Sequence, residues 1–304
     1  MKTLVKKLLD QDLSRRDFGI AMLAMGFSTS AIDSVLRSVA YAAAEPPGKG
    51  FEFVGTGGDV LAECLKAAGV EYVFNTNSTG QGTFYDALAS RPELNLIVAL
   101  QEGQATSMAE GYELASGKTT ALVLPSIGMP NAMSNLYNAW KDRSAIAVFS
   151  DGQSTGSAGR DGFQQANDWL QPTEQFTKWR WQVSHPKRIS EMVRRGIKLA
   201  GTPPGGPVYI RLPKNILRAT DLKQTIYPQS AFAVPLHMEP KAELIDQAAR
   251  LLLESTMPMI NAGGEITRAG ANKDLIELAE LLSIPVAQGL SVYGDFPFKH
   301  PLFA

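Results

Sequence analysis

Glu102 is the residue of this 304-residue sequence best placed to move a proton. It comes just after the apolar run 94–100 (LNLIVAL) and precedes the helical opening Gly103-Gln104-Ala105. Desolvation at the end of such a run raises a carboxyl pKa and suits proton exchange near neutral pH. A helix N-terminus acts in the opposite sense by favouring the charged form, so a plain helix-terminal charge is the competing reading. Polar, Gly- or Pro-punctuated segments follow other apolar runs, at 75–82 (NTNSTGQG), 125–130 (PSIGMP) and 151–168. The last is long enough to expect a task beyond connection. Cys64, the single cysteine, cannot form an internal disulfide or a cysteine-cluster metal site, and its apolar helical setting suits an inert core thiol. His185, His237 and His300 fall outside these segments and read as structural or exposed, so no metal ligands are assigned.

Bringing those segments together takes alternating helices and strands. Apolar spacing predicts helices over 58–68, 83–89, 103–115, 131–141 and 186–200. Short apolar runs predict strands over 71–74, 94–100, 120–124, 145–149 and 208–212. Near-continuous apolar strands separated by helices indicate an α/β fold with a doubly wound parallel sheet covered on both faces. Ligands of such sheets bind beyond the strand carboxyl ends. That rim would gather 75–82, Gln101 with Glu102, 125–130 and 151 onward. Residues 225–240, with three prolines, read as a linker. A helix over 241–255, a strand over 258–262, a helix over 271–283 and a strand from 285 then begin an incomplete second α/β domain, too small to bury a good core alone.

The composition narrows the function classes. With 29 basic and 30 acidic side chains, a net charge of −1 leaves no electrostatic footprint for nucleic acid. The 44% apolar content and 19% charged residues are ordinary for globular proteins. No run of about 18 apolar residues suggests a spanning helix. Residues 1–44 read as a signal peptide: a basic start, the short apolar core FGIAMLAMGF at 18–27, and small residues at 40–44 that suit signal peptidase. The stretch Ser14-Arg15-Arg16-Asp17-Phe18 resembles a twin-arginine export signal. The expected partner is therefore the twin-arginine translocase, and the expected location is periplasmic. Asp33 and Arg37, between core and cleavage site, lend some weight to the alternative of an N-terminal amphipathic helix of the folded protein.

The stretch ALQEGQA from Ala99, with AEGY from Ala109 and ASGK from Ala115, resembles the pyrimidine-binding domain of thiamine-diphosphate-dependent enzymes. The likeness is greatest to the acetolactate synthase and benzoylformate decarboxylase group. It extends through GVEYVF from Gly69, YDAL from Tyr85, NAM from Asn131, NAW from Asn138 and GPVY from Gly206, and places this domain at 55–224. AGG from Ala262, RAG from Arg268, LAELL from Leu278 and HPL from His300 are similar to the first half of the family's middle domain, here 241–304. The resemblance implies a decarboxylase or carboligase acting on small 2-oxo acids, with thiamine diphosphate as cofactor. Glu102 would hydrogen-bond the cofactor's aminopyrimidine ring and so help to deprotonate its thiazolium carbon. Ser126, Gly128 and Asn131 would line the pyrimidine pocket. Gln164, in DGFQ from Asp161, would lie near the substrate, as would a hydroxyl from Thr79 or Ser78.

Several departures qualify the resemblance. Pro125 stands where the benzoylformate decarboxylases carry an active-site histidine. The usual Gly-Pro-Gly turn is replaced by Ile127-Gly-Met-Pro130, and NTNST stands at 75–79 in place of a Gly/Pro-rich segment. The family binds magnesium and the diphosphate through Gly-Asp-Gly and a later Asn in a third domain. Only Gly58-Asp59 and Gly294-Asp295 pair Gly with Asp here, and neither has the second glycine. In the family the site forms between subunits, which implies a homodimer or homotetramer. FAD, known in some relatives, stays undecided. The alternatives are a benzoylformate-decarboxylase-like lyase, one subunit of a split enzyme, or a non-catalytic exported binding protein.

Overall fold

The computed structural model describes residues 2–9, 13–28, 31–32, 35–36, 48–233 and 240–304. The chain divides into two compact units, Met1–Gly48 and Lys49–Ala304. In the first, helices Lys2–Leu9 and Arg15–Ala24 bury Leu8, Phe18, Met22 and Ile32 together. Ser14 Oγ caps the second helix by accepting from the Asp17 N–H at 3.1 Å. The small residues at 40–44, Asp33, Arg37 and His237 lie outside the described residues. No helix among the described residues is long and apolar enough to cross a membrane.

The second unit is built on six parallel strands in the order β3-β2-β4-β5-β7-β6. Their ranges are β2 Tyr72–Asn75, β3 Asn95–Val98, β4 Thr120–Leu124, β5 Ile146–Ser150, β6 Trp179–Gln182 and β7 Val208–Arg211. Side chains alternate across each strand, so the inner strands β2, β4, β5 and β7 each serve two cores. Val73, Ala121, Val123, Ala147, Phe149, Val208 and Ile210 pack with residues of the helices Gly57–Ala67, Gly82–Ala89 and Ile189–Gly201. Phe74, Leu122, Leu124, Ile146, Val148 and Tyr209 pack on the opposite face with the helices Glu102–Ser116 and Met129–Lys141. Burying both faces explains why β4 and β5 read as unbroken apolar runs. Cys64 lies in the first core, where burial pushes its thiol up to about 12, as expected of an inert core thiol.

Three strands escape the sequence reading. β6 is a short edge strand (WRWQ) whose aromatic–polar alternation lacks the apolar run of its neighbours. β1 (Phe51–Gly55) and β8 (Leu222–Ile226) form an antiparallel pair of their own, with Phe51 opposite Ile226. Because β8 runs to Ile226, the expected linker starts inside a strand; its true beginning is Tyr227. Leu222, Gln224 and Ile226 point inward while Lys223 is exposed, a period of two too short to stand out.

Beyond the linker, β9 (Ile260–Ala262) and β10 (Val286–Gln288) pair in parallel above a small core of Ala262, Leu275, Ala279, Val286 and Phe296. The preceding helix, Ala242–Glu254, has no buried residue, and Leu244, Ile245, Leu251 and Leu253 are exposed. An apolar helical face left in water is the outcome expected of so few elements.

Candidate active site

Strand order decides where a crevice opens. The connection leaving β2 runs through the helix Gly82–Ala89 on one face, whereas that leaving the adjacent β4 runs through Met129–Lys141 on the other. Such a reversal leaves a gap beyond the strand carboxyl ends. A cavity of about 370 Å³ occupies this position, lined by Asn77, Ser78, Thr79, Glu102, Pro125, Ile127, Gly128, Asn131 and Gln164.

Glu102 is the first residue of its helix, and Gln101 Oε1 caps that helix by accepting from the Gln104 N–H at 3.0 Å. The half-buried Glu102 carboxylate accepts from Asn131 Nδ2 at 3.0 Å and Thr76 Oγ1 at 3.4 Å. One oxygen is thus tied to the Met129–Lys141 helix and the other to the loop after β2. Gly128 sets the carboxylate's position from below. A Cβ there would lie 2.5 Å from Glu102 Cγ and 2.6 Å from Cδ, inside contact distance. Gly128 has φ −86°, ordinary backbone for any residue, so the requirement is one of space alone.

Below the cavity a buried polar network fixes the rim loops. Asn75 Nδ2 donates to Gln81 Oε1 at 2.9 Å and to the Val123 carbonyl at 2.8 Å, which joins the β2 and β4 ends. The Tyr85 hydroxyl lies 2.6 Å from Gln81 Oε1 and accepts from the Ser78 N–H at 3.2 Å. Asp151, at 1% exposure, accepts from Ser78 Oγ and, at 3.4 Å, from the Ser126 N–H. Burial pushes the Asp151 carboxyl up from the usual range, against hydrogen bonds from Ser78, Ser126 and Gly80 and the charge of Arg211. Gly80 leaves room for that carboxylate, since a Cβ there would meet Asp151 Oδ2 at 2.0 Å.

Glu102, Gly128, Asn131, Gln164 and Thr79 therefore converge as the sequence suggested. Ser126 does not. It is fully buried, its hydroxyl donates to the Asp151 carbonyl and accepts from Arg211 Nε at 3.1 Å, and it supports the cavity without lining it. A seryl hydroxyl can serve either role, and only the inward turn after β4 separates them. Thr76, Ile127 and Asp151 were not singled out; Thr76 and Asp151 could have been found as the first polar residues after apolar strands on the same rim. His185 caps a short turn, and His300 lies 3.2 Å from Glu280, both away from the cavity.

Comparison with known proteins bears on the whole arrangement. Residues 55–171 match the family described as "Thiamine pyrophosphate enzyme, N-terminal TPP binding domain", and residues 245–304 match "Thiamine pyrophosphate enzyme, central domain". These are thiamine pyrophosphate enzyme domains. A "Probable acetolactate synthase large subunit" of Methanocaldococcus jannaschii is 33% identical to this sequence, over 81% of this chain and 42% of that protein. The "Acetolactate synthase large subunit" of Lactococcus lactis subsp. lactis is 32% identical, over 81% of this chain and 43% of its own length. Among solved structures, the "Rhodococcus jostii RHA1 thiamine diphosphate-dependent 4-hydroxybenzoylformate decarboxylase" superposes with a TM-score of 0.72 at 26% identity, over 82% of this chain and 47% of that one. The chain thus spans less than half the length of these relatives.

The residues present suit the pyrimidine end of thiamine diphosphate. A carboxylate held from two sides faces the cavity, and a single extra methyl at Gly128 would displace it. Neither Gly-Asp pair is free to act on a phosphate-bound metal. Asp59 caps its own helix through Thr56 and pairs with Arg91, and Asp295 accepts from Thr267 and Ser291. Among the described residues no group of three or more His, Cys, Asp or Glu side chains gathers as a metal site.

Proposed function

We propose that this chain supplies the pyrimidine half of the active site of an acetolactate-synthase-like decarboxylase or carboligase acting on 2-oxo acids. The observation that carries this reading is the Glu102 carboxylate lying across Gly128, at the floor of the switch-point cavity. Thiamine diphosphate, when bound, supplies an electron sink for making or breaking the bond beside a carbonyl carbon. Glu102 would hold a proton against the aminopyrimidine ring, with Asn131 and Thr76 keeping its two oxygens in place. Gln164 and Thr79, also on the cavity wall, would meet the substrate. Magnesium and the diphosphate would be held by residues outside this sequence.

Pro125 on the wall favours the acetolactate-synthase-like reading over the benzoylformate-decarboxylase-like one, since no lining residue is a histidine. Leu100 is fully exposed, and Met108 and Ile127 are partly so, which supports a second subunit closing over this rim in a homodimer or homotetramer. The test is turnover of pyruvate and larger 2-oxo acids by the product of the complete reading frame, with thiamine diphosphate and magnesium. Cofactor-dependent release of carbon dioxide is the expected result. Its absence with every 2-oxo acid tried would defeat the proposal.

Export by the twin-arginine route completes the proposal, supported by Arg15-Arg16 ahead of the apolar stretch at 18–27. Replacing both arginines by lysine is expected to leave the protein in the cytoplasm, as read by cell fractionation. An unchanged periplasmic yield would remove the signal reading.

A further inference from the structure

A cluster of positive charge lies away from the Glu102 cavity. Glu191, Arg194, Arg195 and Lys198 occupy one face of the helix Ile189–Gly201 at i, i+3, i+4 and i+7. With Tyr227, Ala231 and Phe232 they line a groove of about 460 Å³. Glu191 offsets only part of this charge, since one carboxylate, held by Arg188, faces the charges of Arg188, Arg194 and Arg195 together. Arg188 Nη2 lies 2.7 Å from Glu191 Oε1, and Nε donates to Oε2 at 3.0 Å. Arg194, Arg195 and Lys198 form no ion pair or hydrogen bond with the described residues. In a chain of near-zero net charge this is a local departure, and like charges spaced this closely on a helix repel.

The arginines are nevertheless held in place. The Arg194 guanidinium lies 4.9 Å from the Tyr227 ring centre and 5.6 Å from that of Phe232, and Arg195 lies 5.1 Å from that of Trp179. Stacking of this kind occupies the flat face of a guanidinium and leaves the N–H donors along its edge free. Those donors match the paired oxygens of a phosphate, and a lysine one turn away adds a point charge. Side chains three and four apart on a helix stand about 5–6 Å from each other at Cβ, a spacing that two linked phosphates can bridge. The Tyr227 ring is in turn approached by Gly50, where a Cβ would lie 2.7 Å from it.

We infer that this groove is a second ligand site, independent of the Glu102 cavity, that binds a diphosphate group through Arg194, Arg195 and Lys198. Recognition rests on the phosphates, whatever group they carry. It follows that inorganic pyrophosphate and ADP bind alike, while AMP and inorganic phosphate bind more weakly.

The chain titrated calorimetrically with pyrophosphate, ADP, AMP and phosphate tests this. Pyrophosphate and ADP should bind with affinities within about threefold of each other, and both should weaken as salt rises from about 50 to about 200 mM. Replacing Arg195 and Lys198 together, Arg195→Gln with Lys198→Gln, should weaken both by about tenfold or more. Glu102→Gln should change neither, which separates this site from the proposed cofactor cavity. In the unaltered protein, pyrophosphate should protect Arg194 and Arg195 from phenylglyoxal, as read by mass spectrometry, so the test survives a poorly folding variant. No pyrophosphate binding, binding indifferent to the double substitution, loss of binding on Glu102→Gln, or unprotected arginines would each overturn the inference. So would ADP binding far more tightly than pyrophosphate, since the base would then carry the recognition.

Discussion

Glu102→Gln is expected to slow cofactor-dependent turnover of the complete enzyme by about a hundred- to ten-thousand-fold, the span of a lost general acid–base group. Glutamine keeps the size of the side chain and can keep its bonds to Asn131 and Thr76 by turning its amide. It could not exchange a proton with a cofactor ring bound beside it. Deuterium exchange at the thiazolium carbon, followed by NMR, should fall in parallel, while thermal stability stays near that of the parent. Gly128→Ala gives a complementary variant. The backbone accepts alanine, but the new methyl must displace Glu102 Cγ from 2.5 Å, so activity should fall with the carboxylate chemically intact. Full turnover in Glu102→Gln would end the catalytic assignment.

The second large effect concerns stability. Glu110 and Glu113, on the inner face of the Glu102–Ser116 helix, are 8% and 2% exposed, and each keeps one buried carboxyl oxygen without a hydrogen-bond partner among the described residues. Arg268, from the short helix Glu265–Arg268, provides the counter-charge of Glu113. Its Nη1 lies 3.6 Å from Glu113 Oε1, its Nη2 donates to the Asp142 carbonyl at 2.6 Å, and its guanidinium stacks 5.2 Å from the Tyr293 ring centre. Arg268→Ala would leave Glu113 buried and unpaired. Breaking such a pair costs about 3 kcal/mol, slightly discounted here because Arg268 is partly exposed. A fall in urea midpoint is the expected result, and Glu113→Gln in the same chain should recover part of it.

Glu110 makes the same region sensitive to pH. Burial first, then the charges of Asp142 and Glu113, push its carboxyl up from 4.5 to about 7. The folded state therefore binds a proton between those values that the unfolded chain releases. The stability contributed by the neutral carboxyl is present in full below about pH 4.5 and lost as pH rises through about 7. Glu110→Gln should leave stability at pH 4.5 unchanged and raise it above pH 7 by about 2 kcal/mol, a figure already reduced for solvent screening. Parallel denaturation of parent and variant at the two pH values checks the sign. A variant less stable than its parent at pH 8 would contradict it.

Much of this architecture was legible because the central strands bury both faces. Thr120–Leu124 carries apolar side chains on two sides, and its strand limits agree with those expected from sequence. Helices packed on the sheet were equally visible, since one apolar stripe per turn survives in any context. What failed was local and weakly patterned. β1, β6 and β8 hold four or five residues of mixed character at edges, where pairing partners distant in sequence decide the outcome. The site followed the same division. Glu102 announced itself by position, whereas the inward turn of Ser126 depends on Asp151 and Arg211, which only folding brings within reach.

The pairing of Phe51 with Ile226 has a consequence for how this protein can be rearranged. The chain enters and leaves this parallel-sheet domain through two adjacent strands, so everything between them closes on itself like a loop tied at its neck. A module with neighbouring ends can be cut out, grafted into a host loop or circularly permuted with little disturbance to its interior. The β1–β8 ribbon thus makes the domain portable: whatever is fused before or after it is attached at one seam, remote in sequence from the residues that hold Glu102.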